Sequence, residues 1–292
     1  MVALYALTVI LAVLAGPAAA QIPGNAPGIV AAENFYGDVA QQLAGNNTAV
    51  TSILSNPDQD PHLFEASPSV ARHLSGAAIV IYNGADYDPW MTKLLAATRS
   101  PNREIIVVAD LVHRRAGDNP HLWYDPATMP IFAKALAKAL SDREPPRRND
   151  YDERLRAFLA SLQPLDAKIA ELRQKFDGIP VTATEPVFGY MAAALGFRMR
   201  NERFQLTVMN GSEPRASDVA AFENDLRNHT VRLFFYNSQA SDTAAQRLVR
   251  IATQSRVPVV GVTETEPPGK RYQDWMMGEL DAIAQALSGR PQ

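Results

Sequence analysis

The stretch DYDERLRAFLASLQPLDAKIAELRQKFDG, Asp150 to Gly178, decides how the rest of the chain is read. Leu155, Phe158, Leu162, Leu165, Ile169, Leu172 and Phe176 recur at steps of three and four, the signature of one apolar stripe on a long helix. Asp150 followed by Glu153 suits a capping box at its start, and Gly178 before Pro180 suits its end. Pro164 falls inside the pattern and predicts a kink or a division. At about 1.5 Å per residue such a helix reaches roughly 35 to 40 Å, the span of a small lobe. Either it is an ordinary packed helix or it is a spine between two lobes.

Its flanks favour the spine, because strand and helix patterns alternate on both sides of it. Before it, β-branched apolar runs predict strands at 28–32, 49–54, 78–82 and 104–109. Helical stretches lie near 35–43, 68–74, 89–97 and 126–140. After it, strands are predicted at 180–184, 204–209, 231–236 and 257–262, with helices near 189–195, 216–227, 243–255 and 273–287. The expected fold is α/β: two similar lobes, each a mainly parallel sheet with flanking helices, at residues 21–146 and 179–292, joined by one long spine helix at 147–178.

The first twenty residues form an apolar run ending in Ala18-Ala19-Ala20, which reads as a signal peptide with a small-residue cleavage site. With no cysteine in the sequence, thiolate metal sites, disulfides and a lipid anchor on cysteine are set aside. The expectation is a secreted, soluble periplasmic monomer without a lipid anchor. A net charge of −3 and no basic cluster give no footprint for nucleic acid.

Of five histidines, two share a local context: Asp60-Pro61-His62-Leu63-Phe64 and Asn119-Pro120-His121-Leu122-Trp123. Proline stiffens each loop, and rigid presentation suits a metal ligand. Both follow predicted strands, where open α/β sheets bind ligands. Glu185 stands at the exit of the strand at 180–184, and Glu264 and Glu266 at the exit of that at 257–262. Taken singly, each histidine also fits a core or surface role, and Glu185 a helix-capping one. Glu266 competes with Glu264. Phe64, Trp123, Phe188 and Tyr190 flank these positions, either as a dry shell or as core aromatics.

The segments DPHLFEASPS (60–69), NPHLWYDP (119–126), TATEPVFGYMAAALG (182–196) and GVTETEPPG (261–269), in this order, resemble the metal-specific solute-binding proteins of bacterial ABC importers. The resemblance implies a metal held by His62, His121, Glu185 and Glu264, the last standing where the family usually has aspartate. It also implies two α/β lobes joined by a long helix, and a membrane permease and an ATPase as partners. Within the family it resembles, a carboxylate rather than a third histidine, and a short stretch such as 112–118 with His113 as its sole histidine, go with manganese or iron more often than zinc, so the resemblance implies manganese or iron as the transported ligand. A metallohydrolase is the alternative from another class, but no HExxH pair, GxSxG elbow or phosphate-cradling loop is present. A surface adhesin would need an anchor that the sequence does not offer.

Overall fold

The computed structural model describes residues 28–56, 64, 67–239 and 243–289. The helix expected from the apolar stripe runs unbroken from Arg148 to Phe176, here α6. Phe158, Leu162, Leu165 and Leu172 are buried, and Leu155, Ile169 and Phe176 pack against the same core. Each fully buried side chain of this size contributes about 1.5–3 kcal/mol. Pro164 neither divides nor ends the helix; it lies on the exposed face, where water can satisfy the carbonyl it leaves unpaired. The helix begins two residues before Asp150, so the expected capping box is not formed: Arg147 is the N-cap and makes no side-chain cap bond.

Before α6 come β1 (Ile29–Glu33), α1 (Asn34–Ala44), β2 (Val50–Leu54), α2 (Pro68–Gly76), β3 (Ile79–Tyr82), α3 (Pro89–Ala97), β4 (Glu104–Val107), α4 (Val108–Leu111) and α5 (Thr128–Arg143). The first sheet has the order β2-β1-β3-β4, all parallel, with Ile29 opposite both Val50 and Ile79. After α6 come β5 (Pro180–Ala183), α7 (Gly189–Ala194), β6 (Arg198–Arg200), α8 (Glu202–Met209), α9 (Ala216–Arg227), β7 (Leu233–Asn237), α10 (Thr243–Gln254), β8 (Val259–Val262) and α11 (Tyr272–Leu287). The second sheet repeats the plan as β6-β5-β7-β8, again parallel. Two lobes of the same α/β type result. Among the described residues no helix is long and apolar enough to cross a membrane.

Two expected elements differ. The predicted strand at 204–209 is helical, α8, and the edge strand is the polar Arg198–Arg200. The alternation of Phe204, Leu206 and Val208 suggested a strand, but only Phe204 and Gln205 are buried. The segment after Glu104 turns helical at Val108, so β4 is shorter than expected.

One apolar core runs through both lobes. Phe35 of α1 lies 4.4 Å from Trp123 and 6.1 Å from Trp275 of α11, while Phe188 stacks on Phe235. Polar ties follow the same seam. Gln273 donates to Gln42 at 2.9 Å and to Ser161 of α6 at 2.7 Å, and Lys168 pairs with Asp281 at 2.8 Å.

Candidate metal centre

Parallel strands in both sheets deliver their carboxyl ends to the seam. β5 runs into Glu185, which is extended (φ −141°) and buried ahead of Pro186. β8 runs through Thr263 to Glu264, 1% exposed. From the first lobe Pro120 leads into His121, 0% exposed.

His121 is oriented by the residue two positions before it. Asn119 Oδ1 accepts the His121 backbone N–H at 3.1 Å and lies 2.7 Å from Nδ1. The Asn119 amide cannot be reversed, because its Nδ2 donates to the Pro186 carbonyl at 2.8 Å. Nδ1 therefore carries a proton, and in the neutral imidazole Nε2 presents a lone pair, the arrangement of a metal-ligating histidine. Nε2 makes no hydrogen bond and faces Glu264 Oε2 at 3.4 Å. A buried acceptor aimed at a carboxylate is costly unless a proton or cation joins them.

Glu264 is held on several sides. Its Oε2 accepts the Tyr87 hydroxyl at 3.1 Å, its Oε1 the Asn237 amide at 2.6 Å, and its backbone N–H donates to Gln239 Oε1. Burial first, and then the charge of Glu264, push the Tyr87 hydroxyl well above the ordinary range, so Tyr87 stays a donor. Tyr87 belongs to a loop in which Gly84, Ala85 and Asp86 all have positive φ. The Asp88 carboxylate pins this loop by accepting the N–H groups of Asn83 and Gly84. Behind it lies Glu33, raised well above its usual pKa by burial and then by Asp88. Burial also pushes Asp88 up to about 6.

Glu266 has different surroundings. Its backbone pairs reciprocally with the Asn34 amide, and its carboxyl is pushed up to about 9 by burial and then by Asp38 and Asp274. Glu264, not Glu266, is the acidic residue beside His121. His62 and the leader segment 1–20 lie outside the described residues. Among the described residues no three His, Asp or Glu side chains converge closely enough to hold an ion. His121 meets Glu264 directly, while Glu185 is linked to Glu264 through Asn237, which it accepts at 3.3 Å. His73, His113 and His229 are exposed.

The four flanking aromatics divide. The Trp123 ring stands edge-on to His121 at 5.3 Å, whereas Phe188 packs among Tyr124 and Phe235 in the core. Tyr190 donates to the Asn119 carbonyl at 2.8 Å, and Phe64 packs on Trp90. Asn119, Tyr87, Asn237 and Gln239 were not singled out from sequence. Asn119 alone carried a local signal, as the residue before Pro120.

The model of the family "Zinc-uptake complex component A periplasmic" matches residues 29–286, nearly the whole described chain. The chain belongs to this family. Members of the zinc-uptake component family are metal-binding solute-binding proteins of ABC importers rather than enzymes, and such proteins work with a membrane permease and an ATPase. Two relatives are the manganese ABC transporter substrate-binding lipoprotein PsaA of Streptococcus anginosus and the iron ABC transporter substrate-binding lipoprotein MtsA of Streptococcus pyogenes. Each is 24% identical; the matches cover 89% of this chain and 89% and 88% of those proteins. The periplasmic zinc-binding protein TroA of Treponema pallidum superposes with a TM-score of 0.74 at 21% identity, over 89% of this chain and 99% of that one, and shares the fold.

The names of the streptococcal relatives correct one expectation. They are lipoproteins, against the reading of a protein without a lipid anchor. That reading rested on cysteine content alone.

Proposed function

We propose that this chain captures a divalent first-row transition metal, manganese or iron ahead of zinc, and hands it as a monomer to the permease of an ABC importer. In this reading His62, His121, Glu185 and Glu264 are the ligands, drawn from lobes at residues 21–146 and 179–292 on either side of the segment 147–178. The observation that carries it is the buried His121 Nε2 lone pair aimed at the Glu264 carboxylate. Two imidazoles with two carboxylates make a borderline-to-hard donor set that suits manganese and ferrous iron as well as zinc. The carboxylate of Glu185 in the third position tilts it toward the harder cations, in keeping with the manganese and iron relatives. Elemental analysis of protein purified without added metal, followed by competition among manganese, iron and zinc, tests this. One metal per chain is expected, with Glu185→His shifting preference toward zinc by about tenfold or more. Unchanged binding in both His62→Ala and Glu264→Ala would sink the ligand assignment.

A further inference from the structure

The order of the second sheet places β7 between β5 and β8. Neighbouring strands stand about 4.8 Å apart, so the last residue of β7 sits between the residues that leave β5 and β8. That residue is Asn237, 5% exposed, flanked by Glu185 and Glu264. Its amide has one orientation only. Oδ1 accepts the Gln239 N–H at 3.0 Å, so Nδ2 must face the carboxylates. Nδ2 lies 2.6 Å from Glu264 Oε1 and 3.3 Å from Glu185 Oε1. One amide thus serves two carboxylates with its two protons and adds no charge between them.

The two bonds are unequal. The bond to Glu264 has the length of a strong charge-assisted contact, and the one to Glu185 is near the outer limit of a hydrogen bond. With Oε1 tied back, Glu264 turns Oε2 toward His121, and that oxygen also accepts the Tyr87 hydroxyl. Whether a carboxylate gives a cation one oxygen or two changes the coordination number, which separates four-coordinate zinc from the higher coordination of manganese and ferrous iron.

We propose that Asn237 is a specificity-determining residue that holds Glu264 to a single metal-facing oxygen and so moderates the preference for manganese and iron that the Glu185 carboxylate confers. This rests on the reading that His62, His121, Glu185 and Glu264 hold the cargo. Asn237 makes no contact with the metal in this role; it acts through the two glutamates.

The test compares manganese and zinc affinities, by competition with a chromophoric chelator, in wild type, Asn237→Ala and Asn237→Leu. Removing the amide donor releases Glu264 to close on the ion with both oxygens, so the manganese-to-zinc affinity ratio should rise about tenfold in Asn237→Ala. X-ray absorption of the manganese-loaded variant should show added oxygen in the first shell. Asn237→Leu keeps the volume of the side chain without a donor or a charge and guards against local collapse; its ratio should move in the same direction. A ratio within about twofold of wild type in a folded variant overturns the proposal, because a merely structural residue weakens both metals alike. Equal metal binding by wild type and Glu264→Gln would instead overturn the ligand assignment beneath it, whatever the Asn237 ratio.

Discussion

Replacing Asn119 by alanine tests whether the cargo site depends on an imidazole locked from behind. The substitution removes the acceptor for His121 Nδ1 at 2.7 Å and for its backbone N–H at 3.1 Å, and the donor to the Pro186 carbonyl at 2.8 Å. Loss of a residue that orients a metal-ligating histidine typically costs 10–100-fold in affinity, about 1.4–2.7 kcal/mol. Losing three largely buried hydrogen bonds at about 1 kcal/mol each should also lower stability by roughly 2–3 kcal/mol. Chelator competition for manganese gives the first quantity and urea unfolding of the metal-free protein the second. Asn119→Asp separates the two roles: it retains an oxygen for Nδ1–H but not the donor to Pro186, so affinity should be largely kept while stability falls by about 1 kcal/mol. Were Asn119→Ala to bind manganese within about threefold of wild type while His121→Ala loses binding, the orientation of His121 would have to come from the Tyr87 and Trp123 rings instead.

The buried carboxyl of Glu279 on α11 accepts the Trp275 indole N–H at 2.9 Å and meets the Tyr124 hydroxyl at 2.8 Å, and burial pushes it up to about 8. The unfolded chain releases this proton near the ordinary 4.5, so the contribution is fully present below that value and is lost as pH rises through about 8. Over this window the loss is on the order of 3–5 kcal/mol, and melting curves should show Glu279→Gln gaining on wild type as pH climbs; a constant gap would refute the neutral carboxyl. Gly84 has φ +77°, and a Cβ there would stand 2.7 Å from Val107 Cγ1. Gly84→Ala should therefore lower the urea midpoint by the equivalent of about 1–3 kcal/mol, and weaken metal binding through the Tyr87 loop.

Sequence patterning revealed most of the fold and only part of the site. The stripe from Leu155 to Phe176 was legible because every member reaches one core, and a period of 3.6 leaves a regular trace. Residues 204–209 misled because six residues are too few to tell the two periods apart. Glu185 and Glu264 stood out as candidates because each leaves a parallel strand at its carboxyl end, and His121 because its Pro-His-Leu context repeats that of His62. Asn237 and Tyr87 did not. Each acquires its meaning from a neighbour far along the chain, Glu264, and nothing local distinguishes an asparagine between two carboxylates from one opening a turn.

The core shared between the lobes bears on how the molecule folds as the chain is made. Trp275 and Tyr272, close to the end of the sequence, complete the surroundings of Phe35 and Trp123 in the first half. The first sheet therefore cannot finish its interior until the last helix has arrived, and contacts separated by more than two hundred residues make for slow, late consolidation. A chain cut short before Tyr272 is expected to compromise both halves, not only the second. What looks in architecture like two lobes hung on a rod is, in folding, one cooperative unit closed by its final turn of chain.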